Sequence, residues 1–255
     1  MADRVEAIAI EGLGEIVPGD DLPTLIADAL AGASGVDTLR DDDVLVVTQK
    51  IVSKAEGAIV DLTTVEPSPV ATEFARRYDR DARQVEVVLR EARRVVRMAN
   101  GVIITETQHG FVCANGGIDA SNVGPASGSI VTLLPRDPDA SADRIRAAIR
   151  ARLDHDLPVI VSDSFGRPWR FGIVDVAIGV SGLIPLDDLR GEPDADGRIM
   201  RSTVRAVADE LASAAELVLG KTARRPLALV RGAAFRRGEG RIVDALIPAK
   251  MDLFR

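Results

Sequence analysis

Apolar positions along this chain recur with two different periods, and the switches between them mark out the elements. Residues 5–10 alternate apolar and polar, the period of a half-buried strand. Asp21, with Pro23 just behind it, opens a helix over 22–30, since proline is tolerated in a first turn. Three aspartates, Asp41 to Asp43, lead into an apolar strand over 44–48. Pro67-Ser68-Pro69 introduces a helical region, in which Val85, Val88, Leu89, Ala92 and Val96 keep helical spacing to about residue 96. Strands over 102–106 and 111–113 flank the turn Gln108-His109-Gly110. Residues 114–128 have no period and many small side chains. A loop of that length inside a compact protein is functional or disordered.

A strand over 130–134 and a helix over 140–153 follow. The apolar run 159–161 then stops at Asp163-Ser164, and 173–180 reads as another strand. Residues 187–197 form an acidic, Gly-containing loop open to movement. Residues 201–219 make a helix and 226–230 a last buried strand. Strands and helices alternate, but not in regular parallel units, so a mixed α+β fold is expected over doubly wound α/β. No repeat or linker divides the chain, so residues 1–255 read as one domain, large enough for two lobes.

Composition narrows the function. Aromatics are only 3% of residues, which leaves little for the stacking platforms that bind single-stranded nucleic acid. A net charge of −7 argues against a general polyanion binder, so cations facing an anionic substrate must be gathered locally or supplied by metal. The N-terminus has neither the basic region nor the apolar run of a signal peptide, and no apolar run approaches the ~18 residues of a membrane span. A cytoplasmic protein is expected. The single cysteine, Cys113, excludes an intrachain disulfide and a Cys-rich zinc site.

Three loops collect the candidate chemistry. The stretch 48–57 leaves a buried strand with Lys50 and Lys54 interleaved with Ser53 and Gly57. It is either a solvated basic turn or a set of donors to phosphate. In 115–122, Asp119 and Asn122 are hard oxygen ligands suited to Mg²⁺ or Mn²⁺, or simply Asx-type turn residues. After the strand 159–161, Asp163 and Ser164 offer two oxygens to a hydrated divalent ion, while Arg167 and Arg170 face phosphate. The plain alternative pairs Asp163 with one of these arginines.

Other features are set aside. Gly220-Lys221-Thr222 resembles the end of a P-loop, but Ala215 stands where its first Gly belongs and the segment follows a helix. It reads as a helix C-terminus with a Gly cap and a Lys. His109, in a turn, and His155, near a helix end, are read as structural, and Cys113 as a small core residue.

Taken together, the three loops resemble the coenzyme F-420-0:γ-glutamyl ligases. The resemblance rests on Val-Thr-Gln-Lys-Ile-Val-Ser-Lys-Ala-Glu-Gly (47–57), Asn-Gly-Gly-Ile-Asp-Ala-Ser-Asn-Val (115–123) and Ser-Asp-Ser-Phe-Gly-Arg-Pro-Trp-Arg-Phe-Gly (162–172). Leu-Leu-Pro-Arg-Asp-Pro-Asp-Ala-Ser (133–141), Val-Ala-Asp-Glu-Leu-Ala (207–212) and Val-Arg-Gly (230–232) support it, in order from about Glu6 to Arg255. It implies a two-lobed α+β monomer in an intertwined homodimer. The activity implied is a ligase that uses GTP as co-substrate to join L-glutamate to the lactyl carboxylate of the deazaflavin precursor, then adds further γ-linked glutamates. Mg²⁺ or Mn²⁺, two per site, and potassium are the implied cations. By matched position Asp119 and Asp163 would bind one metal and Ser164 would help hold a second. Lys54 would join the two aspartates in catalysis. Leu13, Gly14, Glu15, Ile16, Gln49, Lys54, Asn122, Gly220, Lys221, Thr222, Ala223, Arg224 and Arg225 would contact GTP.

The chain departs from the family pattern at three places. Gly14 stands where a Pro is typical, Gln49 where a Ser is common, and Lys221 where some relatives have an acidic ligand for the second metal. A protonated lysine cannot ligate a cation. Either water completes the second metal's shell, or Lys221 supplies part of its charge. Some relatives carry a flavin-dependent reductase domain after the ligase, so this chain, ending at Arg255, is a stand-alone ligase or half of a longer protein. A metal-dependent phosphohydrolase and a non-catalytic nucleotide- or deazaflavin-binding subunit are the alternative functions.

Overall fold

A computed structural model describes residues 4–33, 38–120 and 128–253. In chain order the first half holds β1 (Glu6–Ile10), α1 (Leu22–Ala31), β2 (Val44–Thr48), α2 (Gln49–Ala55), β3 (Ile59–Asp61), α3 (Pro69–Tyr78), α4 (Ala82–Glu91), β4 (Ala92–Ala99), β5 (Val102–Thr107) and β6 (Val112–Ala114). The second half holds β7 (Ile130–Thr132), α5 (Pro138–Leu153), β8 (Val159–Arg167), β9 (Arg170–Ser181), β10 (Asp187–Asp188), β11 (Val204–Arg205), α6 (Val207–Leu219) and β12 (Leu227–Arg231). The fold is α+β, as expected. Among the described residues no helix is long and apolar enough to cross a membrane.

The main sheet has the strand order β1-β12-β2-β8-β9, and only β2 and β8 run parallel. Val44 to Val47 are all buried, as a central strand covered on both faces requires. Helix α5 packs on β8 and β9 with α1 beside it, and α6 crosses β1, β12, β2, β8 and β9. Asp21 caps α1 by accepting from the Thr24 N–H, and Asp137 caps α5 from Ala140 at 3.0 Å. The α5 N-terminus abuts β9 so closely that a Cβ at Gly179 would lie 2.4 Å from the Pro138 carbonyl carbon.

Edge strand β9 would otherwise expose unpaired N–H groups. Carboxylates satisfy them: Asp175 N–H donates to Glu216 at 3.1 Å, Ala177 N–H to Asp209 at 2.9 Å, and Val180 N–H to Asp139 at 2.7 Å. The edge is therefore closed by α6 and α5, and this docking brings the end of α6 against β9. A second body is smaller: the antiparallel sheet β4-β5-β6, and α3 with α4 around Ala71, Phe74, Val85, Val88 and Ile103.

Four sequence expectations change. The helical spacing through Val96 ends at Glu91, and Ala92–Ala99 instead pairs with β5. The turn expected over 48–57 contains α2, a seven-residue helix. Strand β8 does not stop at Val161 but continues through Asp163 and Ser164 to Arg167, hydrogen-bonded to β9. The helix expected from 201 begins at Val207, because β11 and its pairing with β10 take residues before it. That pairing also places a strand inside the expected acidic loop.

Candidate active site

Strand register fixes one rim of the main sheet. Ile10 lies level with Leu227, Leu227 with Val47, and Val47 with Val161. Beyond that row the chain leaves β1 toward 11–16, leaves β2 into α2, and enters β12 from 220–226. Strands β8 and β9 alone run further, carrying Asp163, Ser164 and Asp175 past the end of β2. A crevice outside the carboxyl ends of parallel strands is where open sheets place ligand sites. An extra residue in β9 interrupts its register with β8 between Val161 and Ser162, a bulge beside the site.

Strand alternation sends Asp163 and Phe165 to one face of β8, and Ser162 and Ser164 to the other. On the first face Phe165 meets Phe111 edge-on at 6.1 Å. Asp163 accepts one hydrogen bond, from Ser164 N–H at 2.8 Å. Burial, and then the nearby Asp175 and Asp119 carboxylates, push its carboxyl up to about 7 despite that bond and Lys221. Arg167 and Arg170 do not pair with it: Arg167 donates to the Phe171 carbonyl at 3.0 Å. Its buried Nε has no acceptor among the described residues. Cys113 is buried next to Asp163 and its thiol is pushed up to about 12, so it is an inert core residue.

Asp119 arrives from a different sheet. Its backbone pairs with Thr132 of β7, at 3.1 and 2.8 Å, and its carboxylate meets Lys50 of α2 at 2.7 Å. Lys54, one turn further along α2, pairs with Glu15. Neither lysine sits in a solvated turn, since α2 directs both along its one side toward the rim.

On the second face Asp175 accepts from Ser164 Oγ at 2.6 Å and from Ser162 Oγ at 3.1 Å. The Lys221 ammonium reaches Ser164 Oγ, Asp175 Oδ1 at 3.1 Å and Glu216 Oε1 at 2.8 Å. Partial burial pulls Lys221 down, but Glu216 and Asp175 carry it above the usual lysine value. Asp175 and Glu216 were not nominated from sequence. Asp175 left a signal: a lone carboxylate inside the apolar run Ile173-Val174-Asp175-Val176.

The residues expected to contact nucleotide divide. Ion pairs join their segments: Lys54 to Glu15, and Arg225 to Glu11 at 2.8 Å. Gly14, Thr222 and Ala223 lie at or near this rim, as does Arg224 in a left-handed conformation with φ 53°. Ile16 is buried in the main core with Leu13 against it. Gln49 is also buried, its amide donating to Ser53 Oγ at 2.5 Å and to the Leu133 carbonyl at 2.8 Å. Gly220 ends α6 with φ 62°, the expected cap. Asn122 lies outside the described residues. His109 is held through Nε2 by the Pro135 carbonyl at 2.9 Å, a structural placement.

The comparisons with known proteins bear on this same span. The sequence model of the family described as F420-0:Gamma-glutamyl ligase matches residues 12–232. The chain is 43% identical over 254 residues to the coenzyme F420:L-glutamate ligase of Methanothermobacter thermautotrophicus, covering 98% of this chain and 99% of that protein. It is 46% identical over 218 residues to the protein of that name from Methanopyrus kandleri (86% of this chain, 82% of the relative), and 42% identical over 218 residues to that of Methanocaldococcus jannaschii (85% and 86%). The chain belongs to the F420-0:γ-glutamyl ligase family.

Within this ligase-family chain, the match encloses Asp119, Asp163, Lys50, Lys54 and Lys221, and leaves only the β1 end of the rim outside. Its donors can be tested against a hard divalent ion. Asp119 and Asp163 provide oxygen donors, and the desolvated Asp163 is relieved by a cation. No three acidic, His or Cys side chains among the described residues converge to hold a metal. Water and phosphate oxygens would complete the shell, as Mg²⁺ commonly requires. At Ser164 the fit fails, because its hydroxyl is shared between Asp175 and Lys221.

Proposed function

We propose that this chain is a GTP-dependent ligase that joins L-glutamate to the lactyl carboxylate of coenzyme F420-0, with further γ-linked additions open to it. A carboxylate and an amine do not condense unaided, because the leaving oxygen must first be activated. The substrate carboxylate attacks the γ-phosphorus of GTP and GDP departs, leaving an acyl phosphate. The glutamate amine then attacks the acyl carbon, losing a proton as inorganic phosphate leaves.

Two anions meet in the first step, so positioning and charge screening dominate the chemistry. A unit charge at 4 Å is worth about 4 kcal/mol at an effective dielectric of about 20. Lys50 and Lys54 bring two such charges to the rim, each held by a carboxylate that phosphate oxygens can replace. Arg167, with its Nε unmatched, suits the phosphodiester of the deazaflavin tail. A divalent ion held by Asp119 and Asp163 would offset charge on the phosphate oxygens when bound. The observation that carries the reading is the half-buried Asp163, desolvated beside two further carboxylates, at a rim that also gathers both lysines.

A mass-spectrometric assay with F420-0, L-glutamate, GTP and Mn²⁺ or Mg²⁺ tests it. Glutamyl products are expected from the native chain, falling at least about 10³-fold in Asp163→Asn and Asp119→Asn, the equivalent of about 4 kcal/mol of barrier. GTP hydrolysis without glutamyl product would replace the ligase by a phosphohydrolase. The implied homodimer is supported by the apolar tip of the β8–β9 hairpin, where Trp169, Phe171 and Ile173 are exposed. Light scattering is expected to give two copies, and one copy for Phe171→Lys. A native monomer would end that part of the proposal.

A further inference from the structure

The two faces of β8 treat their carboxylates differently. On the Asp163 face, two carboxylates from separate sheets approach one another, and Lys50 is the cation paired with Asp119. On the Ser164 face, three oxygens from three elements converge on one ammonium: Ser164 Oγ of β8, Asp175 Oδ1 of β9 and Glu216 Oε1 of α6. Two carboxylates and a hydroxyl are an oxygen-only donor set of the kind that holds a hard divalent ion. Here the set encloses a side chain.

The surrounding contacts hold that arrangement in place. Glu216 also accepts the Asp175 N–H at 3.1 Å, and Ser213 Oγ donates to the Asp175 carbonyl at 2.7 Å, so α6 is clamped to β9 on either side of the cluster. Gly220 ends the helix with a positive φ and turns the chain so that Lys221 folds back over it. Asp175 is almost fully buried, and Ser162 occupies its other oxygen at 3.1 Å. A buried carboxylate hydrogen-bonded on both oxygens and paired with an ammonium has its charge met within the chain.

We infer that Lys221 is a built-in cation standing where a second divalent ion would otherwise bind, so that this chain takes one divalent ion per site. The inference rests on the proposed metal site at Asp119 and Asp163, and it makes the chain a ligase with one exchangeable and one covalently tethered positive charge. A tethered ammonium differs from a metal in two ways. It cannot be removed by chelation, and it donates hydrogen bonds to a phosphate oxygen rather than sharing its coordination shell. Lys221 would accordingly screen phosphate from the Ser164 face while the ion acts from the Asp163 face.

Counting bound Mn²⁺ by electron paramagnetic resonance on the full chain tests this without reference to activity. The native chain is expected to bind one Mn²⁺ per copy and Lys221→Ala two, because the substitution frees Ser164, Asp175 and Glu216. Lys221→Arg keeps the charge and is expected to stay at one. Asp163→Asn is expected to bind none. Two ions in the native chain, or one in both it and Lys221→Ala, would overturn the inference while leaving the first metal site standing. No ion in the native chain but one in Lys221→Ala would remove the Asp119–Asp163 site and keep the role of Lys221. No ion in either would remove both. Circular dichroism melts confirm that each variant counted is folded.

Discussion

Asp43 and Asp163, at opposite ends of the main sheet, hold their charges in opposite states. At the far end Asp43, fully buried, receives both arms of the Arg231 guanidinium at 2.7 and 2.8 Å. Arg40 N–H donates to the same carboxylate at 2.9 Å, and Arg231 also reaches the Thr38 carbonyl. That charge is closed. At the near end Asp163 keeps one backbone hydrogen bond and has two other carboxylates for neighbours. A closed pair holds strands together and can do little else. An open one has unspent affinity for a cation, which is why the far end reads as structure and the near end as chemistry.

The largest effect expected from this contrast is at Asp163. Asp163→Asn should remove glutamyl transfer while the melting temperature holds or rises, because a desolvated, repelled charge is lost. A fall in melting temperature as large as that at Asp43 would make the two ends equivalent. Next comes Asp43→Asn, which leaves the Arg231 charge buried without its partner. Such a break costs about 3–5 kcal/mol. Chemical denaturation should show that loss, with turnover per folded molecule unchanged. A loss of turnover at equal folding would tie the far end to the chemistry.

Glu86 is an intermediate case and gives the smallest effect. It lies on α4, accepts from Ser68 N–H at 3.0 Å and pairs with Arg90 at 2.9 Å. These partners, Ser68 first, pull its carboxyl down to about 2 from an ordinary 4.5. A lowered folded-state value means that the stabilisation is complete above about pH 4.5 and is lost as pH falls toward 2. Glu86→Gln should cost about 1–2 kcal/mol at neutral pH and nothing near pH 2. Denaturation curves at several pH values would show whether the difference shrinks on acidification. A constant difference would mean packing, not charge, sets the contribution.

Much of the fold was legible because local pattern and final environment agreed. Strands β2 and β12 are apolar runs that end up buried on both faces, and the caps of α1, α3 and α5 are residues suited to that place. Helix α2 was not legible. Its seven residues are too few to display a period, and the lysines resemble a solvated turn until Asp119 and Glu15 are brought opposite them. Strand β4 was misread because Val85 to Val96 keeps helical spacing, while the pairing with β5 that overrides it depends on a separate segment.

The sequence by itself determined which side chains were available: the aspartate, serine and arginine motif of β8, the Asp119 loop, and the lysines after β2. It also carried the family resemblance, since that depends on residue order alone. Only the tertiary structure decided how each charge is met. Arg231 reaches Asp43 across 188 positions, Lys221 reaches Ser164 across 57, and Asp175 faces Ser164 because a hairpin sets its register. Periodicity is written by neighbours in the chain. The closing or opening of a buried charge is settled by groups far apart in sequence, where a carboxylate is stabilised or strained by whatever the fold sets within a few ångströms.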